Sequence, residues 1–255
     1  MNKRSVHYLA LGLSVIEGWL SPTTAHIMAT LAHQQTSDGI AGNLAEIGIH
    51  HGKSFLAIAN AVAPTEKIFA IDVFEDQHKN VDQSGHGLRQ TFLDNVNSYA
   101  PGLPVVVIQE SSLDLFAIGW PQQHAHSIRF FSIDGSHTRN ATLNDLKIAA
   151  HTATEGAIIA VDDILSSHWL GVISGVFDYL SSGGDLIPFA IVPNKMLLTK
   201  GQRFHDRWKK YIRDHYGRSI SKRDVPFLDY FVDVVEEDPT LIAELIGSPA
   251  VKVMR

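Results

Sequence analysis

Residues 130–137 read FFSIDGSH and residues 156–164 read GAIIAVDDI. Each is a short apolar run that stops at acid: Asp134 in the first, the Asp162–Asp163 pair in the second. Short apolar runs ended by Asp or Gly read as strands buried on both faces of a parallel sheet. Parallel strands need a crossover, and the amphipathic interval from about Asn140 to His151 supplies it as a helix. In open α/β sheets, ligands bind beyond the carboxyl ends of the strands. Three carboxylates and the imidazole of His137 therefore stand where such folds do chemistry.

Working outward from this pair, the same signals recur. Strands are expected at Leu44–Ile49, at Lys67–Phe74 with its acid at Asp72, at Val105–Gln109, at Ile128–Ile133 and at Ala157–Val161. Helices are expected over 53–62, 88–99 and, briefly, 113–118. Ser166 or Ser167 caps a helix over 168–180, which Gly183–Gly184 ends. Ile187–Val192 and Lys195–Thr199, separated by Pro193–Asn194, form a closing antiparallel pair. The alternation describes an α/β fold: a doubly wound, mostly parallel, seven-stranded sheet with a terminal antiparallel hairpin. Residues 7–20 and 23–35 make two helices joined at Ser21–Pro22, a Ser cap followed by Pro in the first turn. They preface the core and offer a dimer contact, so a homo-oligomer is expected. Residues 201–223 carry eight Lys/Arg against two Asp, with Phe204, Trp208 and Tyr211 at helical spacing, the pattern of a solvated basic face on an amphipathic helix. The chain thus reads as a single domain over 1–255: N-terminal helices (1–40), a cofactor-binding core (41–200) and a C-terminal helical extension (201–255).

Composition sets limits. A chain of 255 residues, 45% apolar and 19% charged, can bury a full core. Its net charge of −6 argues against nucleic acid as an electrostatic partner. The absence of cysteine excludes disulfides and thiolate zinc sites. Lys3 and Arg4 before YLALGLSVI superficially suggest a signal peptide, but Glu17 follows at once and the run is too short to span a bilayer. A cytoplasmic protein without a membrane partner is expected.

Beyond the first strand stands Glu46-Ile-Gly48-Ile-His-His-Gly52-Lys53-Ser54. A dinucleotide fingerprint requires glycine where His50 stands, and a phosphate-binding P-loop requires four residues between its glycines, whereas three separate Gly48 from Gly52. The third reading is E-x-G-x-x-x-G-x-S followed by an acid, Asp72, that can accept from a ribose diol. The polar stretch EDQHKNVDQSGHG over 75–87 is too long for a plain connection and reads as a lid beside the site.

At the other end of the site, Asp134, Asp162 and Asp163 would repel one another and have raised pKa values unless a positive charge compensates. A divalent cation does so economically, and all-oxygen ligands favour Mg²⁺, with Mn²⁺ or Ca²⁺ as alternatives. His137, with an ordinary pKa near 6.5, suits a general base.

The E-x-G-x-x-x-G-x-S loop with Asp72 resembles the first motifs of class I S-adenosylmethionine-dependent methyltransferases. D-x-x-H on one strand with D-D on the next resembles metal-dependent O-methyltransferases, in particular the macrolide-sugar type; catechol-type enzymes carry D-x-x-K and D-N. The resemblance covers about residues 40–200. It implies that Gly48 and its neighbours face the methionine portion and Asp72 the ribose. Glu46, Gly52, Ser54 and Asp134 belong to the same cofactor site, and the adenine contact falls at Glu110 or Ser111. It further implies Asp134, Asp162 and Asp163 as Mg²⁺ ligands, His137 as base, and a sugar-like or otherwise polyhydroxylated small-molecule or glycan acceptor. Two other readings stand beside it: a P-loop-like nucleotide hydrolase built on GKS, and a non-catalytic cofactor-binding module. An iron oxygenase would want a second well-placed His.

Overall fold

In the computed structural model, residues 1–247 are described. A nine-stranded mixed sheet runs in the order β3-β2-β1-β4-β5-β7-β6-β9-β8. The strands are β1 (Asn43–Ile47), β2 (Ile68–Asp72), β3 (Val105–Gln109), β4 (Ile128–Ile133), β5 (Ala153–Val161), β6 (Leu186–Val192), β7 (Lys195–Lys200), β8 (Ile220–Phe227) and β9 (Tyr230–Val235). Strands β1 to β5 pair in parallel, and β7 returns antiparallel between β5 and β6.

Alternation along the central strands fills both faces. Leu44, Phe130, Ile158 and Ala160 join one core, whereas Ala45, Phe131, Ile133, Ile159 and Val161 join the other. Each buried aromatic or branched side chain contributes about 1.5–3 kcal/mol, which holds the central strands in register. Helices α2 (Pro22–Ser37), α3 (Lys53–Ala59) and α4 (Arg89–Tyr99) belong to the first layer, which the chain after the short α1 (Lys3–His7) joins through Tyr8 and Leu9. The short α5 (Trp120–Gln123), the crossover α6 (Arg139–Thr152) and α7 (Leu170–Ser181) cover the opposite face. Helix α8 (Gln202–Tyr216) returns to the first layer, burying Phe204, Trp208, Ile212 and Tyr216. Its basic face is largely paired, with Arg213 on Asp233 at 2.6 Å and Lys209 on Asp224 at 2.7 Å. Helix α9 (Thr240–Gly247) ends the described chain.

Two expectations are corrected. The sheet has nine strands rather than seven, because part of the expected helical extension is the hairpin β8–β9, with β9 parallel to β6. A largely exposed edge strand such as β8 has no apolar alternation to announce it, and Pro226 within it argues locally against a strand. The helix expected over 7–20 is shorter: α1 runs into one π-helical turn, Tyr8–Gly12, and then breaks. The following residues cross toward the strand ends, where Lys53 Nζ donates to Gly18 O at 2.9 Å. Ser21 does cap α2, its hydroxyl accepting from Thr24 N at 3.2 Å. No helix among the described residues is long and apolar enough to cross a membrane.

Candidate active site

Register decides what meets at the carboxyl edge. Ile47 lies beside Ile133, and Ile133 beside Val161. The next residue of each strand is therefore level with its neighbours. Asp134 N donates to Ile47 O at 2.8 Å and Asp162 N to Ile133 O at 2.9 Å. Gly48 closes the row with φ +83°, and a Cβ on it would stand 1.7 Å from the Asp134 carbonyl oxygen. Only glycine fits there. Gly52, at φ +87°, opens α3, and its missing side chain makes room for the Phe92 ring, 2.7 Å from where a Cβ would sit.

A cavity of about 460 Å³ lies over this edge. Gly48, Ser54, Asp72, Ser111, Asp134, His137, Asp162 and Asp163 line it; Glu46 and Gly52 do not. The expected site residues at the ends of five strands thus converge, with Glu46 buried behind them and Gly52 turned to the helix packing. Asp72 clamps the glycine turn: its Oδ2 accepts from the backbone N–H of Ile49 at 2.6 Å and His50 at 2.8 Å, and its Oδ1 from Phe74 at 2.6 Å. Both candidates for the adenine end line the cavity, and Glu110 is ion-paired to Lys79 at 2.5 Å. Burial drives the Glu46 carboxyl up to about 8, although Lys195 opposes the shift. Glu46 Oε2, Ser54 Oγ and His50 Nδ1 are buried without hydrogen-bond partners. Open donors and acceptors beside a clamped glycine turn fit a ligand carrying both an amino-acid end and a nucleoside, as S-adenosylmethionine does.

At the acidic end, Asp134, His137 and Asp163 offer ligand atoms that all lie within 4.8 Å of one another. Asp162, level with Asp134, is turned to other partners. It forms an ion pair with the fully buried Lys195 and accepts from Asn194 Nδ2 at 2.9 Å. Lys195 Nζ is also 3.7 Å from Asp134. Burial and the neighbouring Asp162 raise the Asp134 pKa well above the carboxylate range, with Lys195 acting against them. Burial opposes the Lys195 charge, but Asp162 and Asp134 hold its pKa above that of an ordinary lysine. Asp163, at φ +57°, turns back into the site and accepts from Asn194 Nδ2 at 3.0 Å.

His137 is held from three sides. Its Nδ1 is 2.9 Å from Asp82 Oδ2, its Nε2 is 3.0 Å from Asp163 Oδ2, and the Trp169 ring stacks on it at 4.2 Å and 18°. Burial would lower its pKa, yet the two carboxylates lift it to about 9. Lys195, Asn194 and Asp82 are site residues that the sequence reading missed. Lys195 and Asn194 lie in what read as a plain hairpin, and Asp82 in what read as a polar lid. The only local signal for the former was their place at the turn of a strand pair adjoining β5.

Comparison with known proteins agrees with the geometry. Residues 45–164 match the family model described as a methyltransferase domain. No curated protein sequence matches the chain significantly. Among solved structures, the O-methyltransferase NovP superposes with a TM-score of 0.57 at 13% identity, covering 70% of this chain and 79% of that one. The O-methyltransferase from Bacillus cereus in complex with SAH gives 0.56 at 15% identity, covering 78% and 92%. CalS11, a TDP-rhamnose 3'-O-methyltransferase of calicheamicin biosynthesis, gives 0.51 at 17% identity, covering 68% and 78%. At these identities the likeness is one of fold, and the fold is the one that the glycine turn and strand-end acids implied. Residues 45–164 of the chain form a methyltransferase domain, and its fold is the one shared by S-adenosylmethionine-dependent O-methyltransferases.

Proposed function

We propose that the protein is a divalent-cation-dependent O-methyltransferase whose acceptor is a sugar-like, polyhydroxylated small molecule. The observation that carries this reading is the convergence of Asp134, Asp163 and His137 within 4.8 Å beside the cofactor cavity. Two carboxylates suit a hard cation such as Mg²⁺, with Mn²⁺ as an alternative once an imidazole is near. When bound, S-adenosylmethionine supplies an electrophilic sulfonium methyl, and a divalent cation lowers the pKa of a hydroxyl that it coordinates. Asp134 and Asp163 would hold the cation. Asp162, tied to Lys195 and Asn194, braces both ligands from behind. His137 takes the acceptor proton on Nε2, since Nδ1 is committed to Asp82. Asp163 is one of the two carboxylates that raise the ring pKa, so a cation held on Asp163 would weaken that effect and leave Nε2 open to accept a proton. Trp169 fixes the plane of the ring and keeps water from one face. A sugar-like acceptor is supported by the vicinal-diol chemistry that such a site favours and by the sugar substrate in the name of CalS11.

The test is transfer of labelled methyl from S-adenosylmethionine to a panel of catechols and nucleotide sugars, TDP-rhamnose among them, with EDTA and with Mg²⁺ restored. Activity that survives both EDTA and His137→Ala removes the mechanism. Calorimetry with ATP and with S-adenosylmethionine decides the nucleotide-hydrolase alternative, for which heat would appear with ATP alone. A second reading, His137 as a cation ligand, draws on the same 4.8 Å cluster. Mg²⁺ affinity kept in His137→Ala supports the base; affinity lost there supports the ligand.

A further inference from the structure

The segment 75–87 is neither helix nor strand beyond one short 3₁₀ turn, Gln77–Lys79, yet it is tied down along its length. At its root, Glu75 Oε1 accepts from Arg89 N at 2.9 Å, which draws the two ends of the segment together. Within it, Asn80 Nδ2 donates to Gln77 Oε1 at 2.8 Å and to Ser84 O at 2.8 Å. It lines the cavity through Asn80, Val81, Ser84 and Gly85. Two contacts then reach across the cavity to the sheet edge. Lys79 pairs with Glu110, just past β3, at 2.5 Å. Asp82 reaches His137, just past β4: its Oδ2 accepts from the backbone N of His137 at 2.5 Å and lies 2.9 Å from Nδ1.

Asp82 is prepared for this contact. Its other oxygen, Oδ1, accepts from Ser84 N at 3.1 Å and Ser84 Oγ at 2.7 Å, and the intervening Gln83 takes φ +57° to bring Ser84 back. Only 9% of the Asp82 side chain is exposed. A carboxylate fully occupied by four donors, on a loop of mostly polar, exposed or half-buried residues, is placed to orient the group it grips.

We propose that Asp82 is a positioning residue that latches the 75–87 loop onto His137, so that the imidazole is oriented and its Nδ1–H engaged only when the loop covers the cavity. The proposal rests on the reading of His137 as the base. Its logic is that of a carboxylate that holds an imidazole in one orientation and tautomer, with the difference that here the carboxylate rides on the cover of the site. Loop closure then assembles the base and encloses the cofactor in one movement, and proton abstraction cannot begin while the cavity is open.

The test uses the full chain with S-adenosylhomocysteine as the probe. Hydrogen exchange of residues 77–85 and the ring-nitrogen NMR signals of His137, assigned with His137→Gln, are followed in wild type, Asp82→Ala and Asp82→Asn. The expected result is exchange about tenfold or more faster over 77–85 in Asp82→Ala, intermediate in Asp82→Asn, and loss of the slowly exchanging Nδ1 proton. His137→Gln should loosen the same peptides, since a latch is reciprocal. Loop exchange within twofold of wild type in Asp82→Ala, or an unchanged Nδ1 signal, overturns the proposal. Far-ultraviolet dichroism identifies a variant that has merely unfolded, and Asp82→Asn, which keeps the shape, then carries the test. Methyl transfer that persists in His137→Gln while the latch signals hold would sink the base assignment instead, so the two failures are told apart.

Discussion

Replacing Lys195 with methionine removes the ammonium buried among the strand-end carboxyls while keeping an unbranched stem. Lys195 is 0% exposed and Asp162 6%, so water reaches the charge left behind only from the cavity side. Removing one partner of a buried pair costs about 3–5 kcal/mol. Asp134, 3.7 Å from the ammonium, loses its compensation as well, which points to the upper part of that range. In a chain of this size 1 kcal/mol shifts Tm by roughly 2–4 °C, so a fall of roughly 6–20 °C is expected at pH 7.5. The sign with pH is definite. Without Lys195 the Asp134 carboxyl, already raised by burial and by Asp162, is raised further above its unfolded value. Its protonated form is compatible with the fold, so the deficit is small below about pH 4 and grows as pH rises. Mg²⁺ should restore part of the loss in the variant. The assay is urea and thermal unfolding at pH 5 and 7.5, with Lys210→Met as control. Lys210 pairs with Asp214 on an open helix face with 74% of its side chain exposed, and its loss should cost within about 0.5 kcal/mol. A Lys195→Met deficit under about 1 kcal/mol, or one that does not change between the two pH values, refutes the account of a carboxyl cluster held by an internal cation.

Gly48→Ala should abolish S-adenosylhomocysteine binding in calorimetry and cost about 2–3 kcal/mol or more, because its Cβ would stand 1.7 Å from the Asp134 carbonyl at φ +83°. Asp145→Asn should stabilise the protein at pH 8 but little at pH 4. Burial lifts this carboxyl to about 7, so its penalty appears as pH rises past the unfolded value; the gain is on the order of 2–4 kcal/mol, and equal unfolding midpoints at pH 8 would refute it. Glu66 works in the opposite direction. Burial alone would raise its pKa, but hydrogen bonds from the Arg129 guanidinium, at 2.9 Å to each oxygen, and from the backbone of Ala63 hold it below the usual range. Its contribution is present above about pH 4.5 and lost as pH falls through the lowered value. Glu66→Gln should therefore flatten the acid limb of the stability curve, and an unchanged limb would show that the pair is not what acid breaks.

The sequence alone determined the strand ends and the chemistry gathered on them. Gly48, Asp72, Asp134 and Asp162 were legible because a buried parallel strand is a local apolar run and its end is marked by the residue that stops it. The alternation of runs and helices also identified the parallel core and its antiparallel return. What lay beyond local reading depended on pairing between distant segments. Strand β8 of the β8–β9 hairpin is a largely exposed edge, so it carries little of the hydrophobic pattern by which strands announce themselves. Asp82 meets His137 across 55 residues, and Lys195 meets Asp162 across 33. Neither encounter leaves a mark on its own neighbourhood in the chain. It follows from strand order, which sets β7 beside β5, and from the path of a polar loop over the sheet edge. Which acid faces His137, and which is held by a lysine, was therefore decided by tertiary structure, because charge acts through space and the chain records only succession.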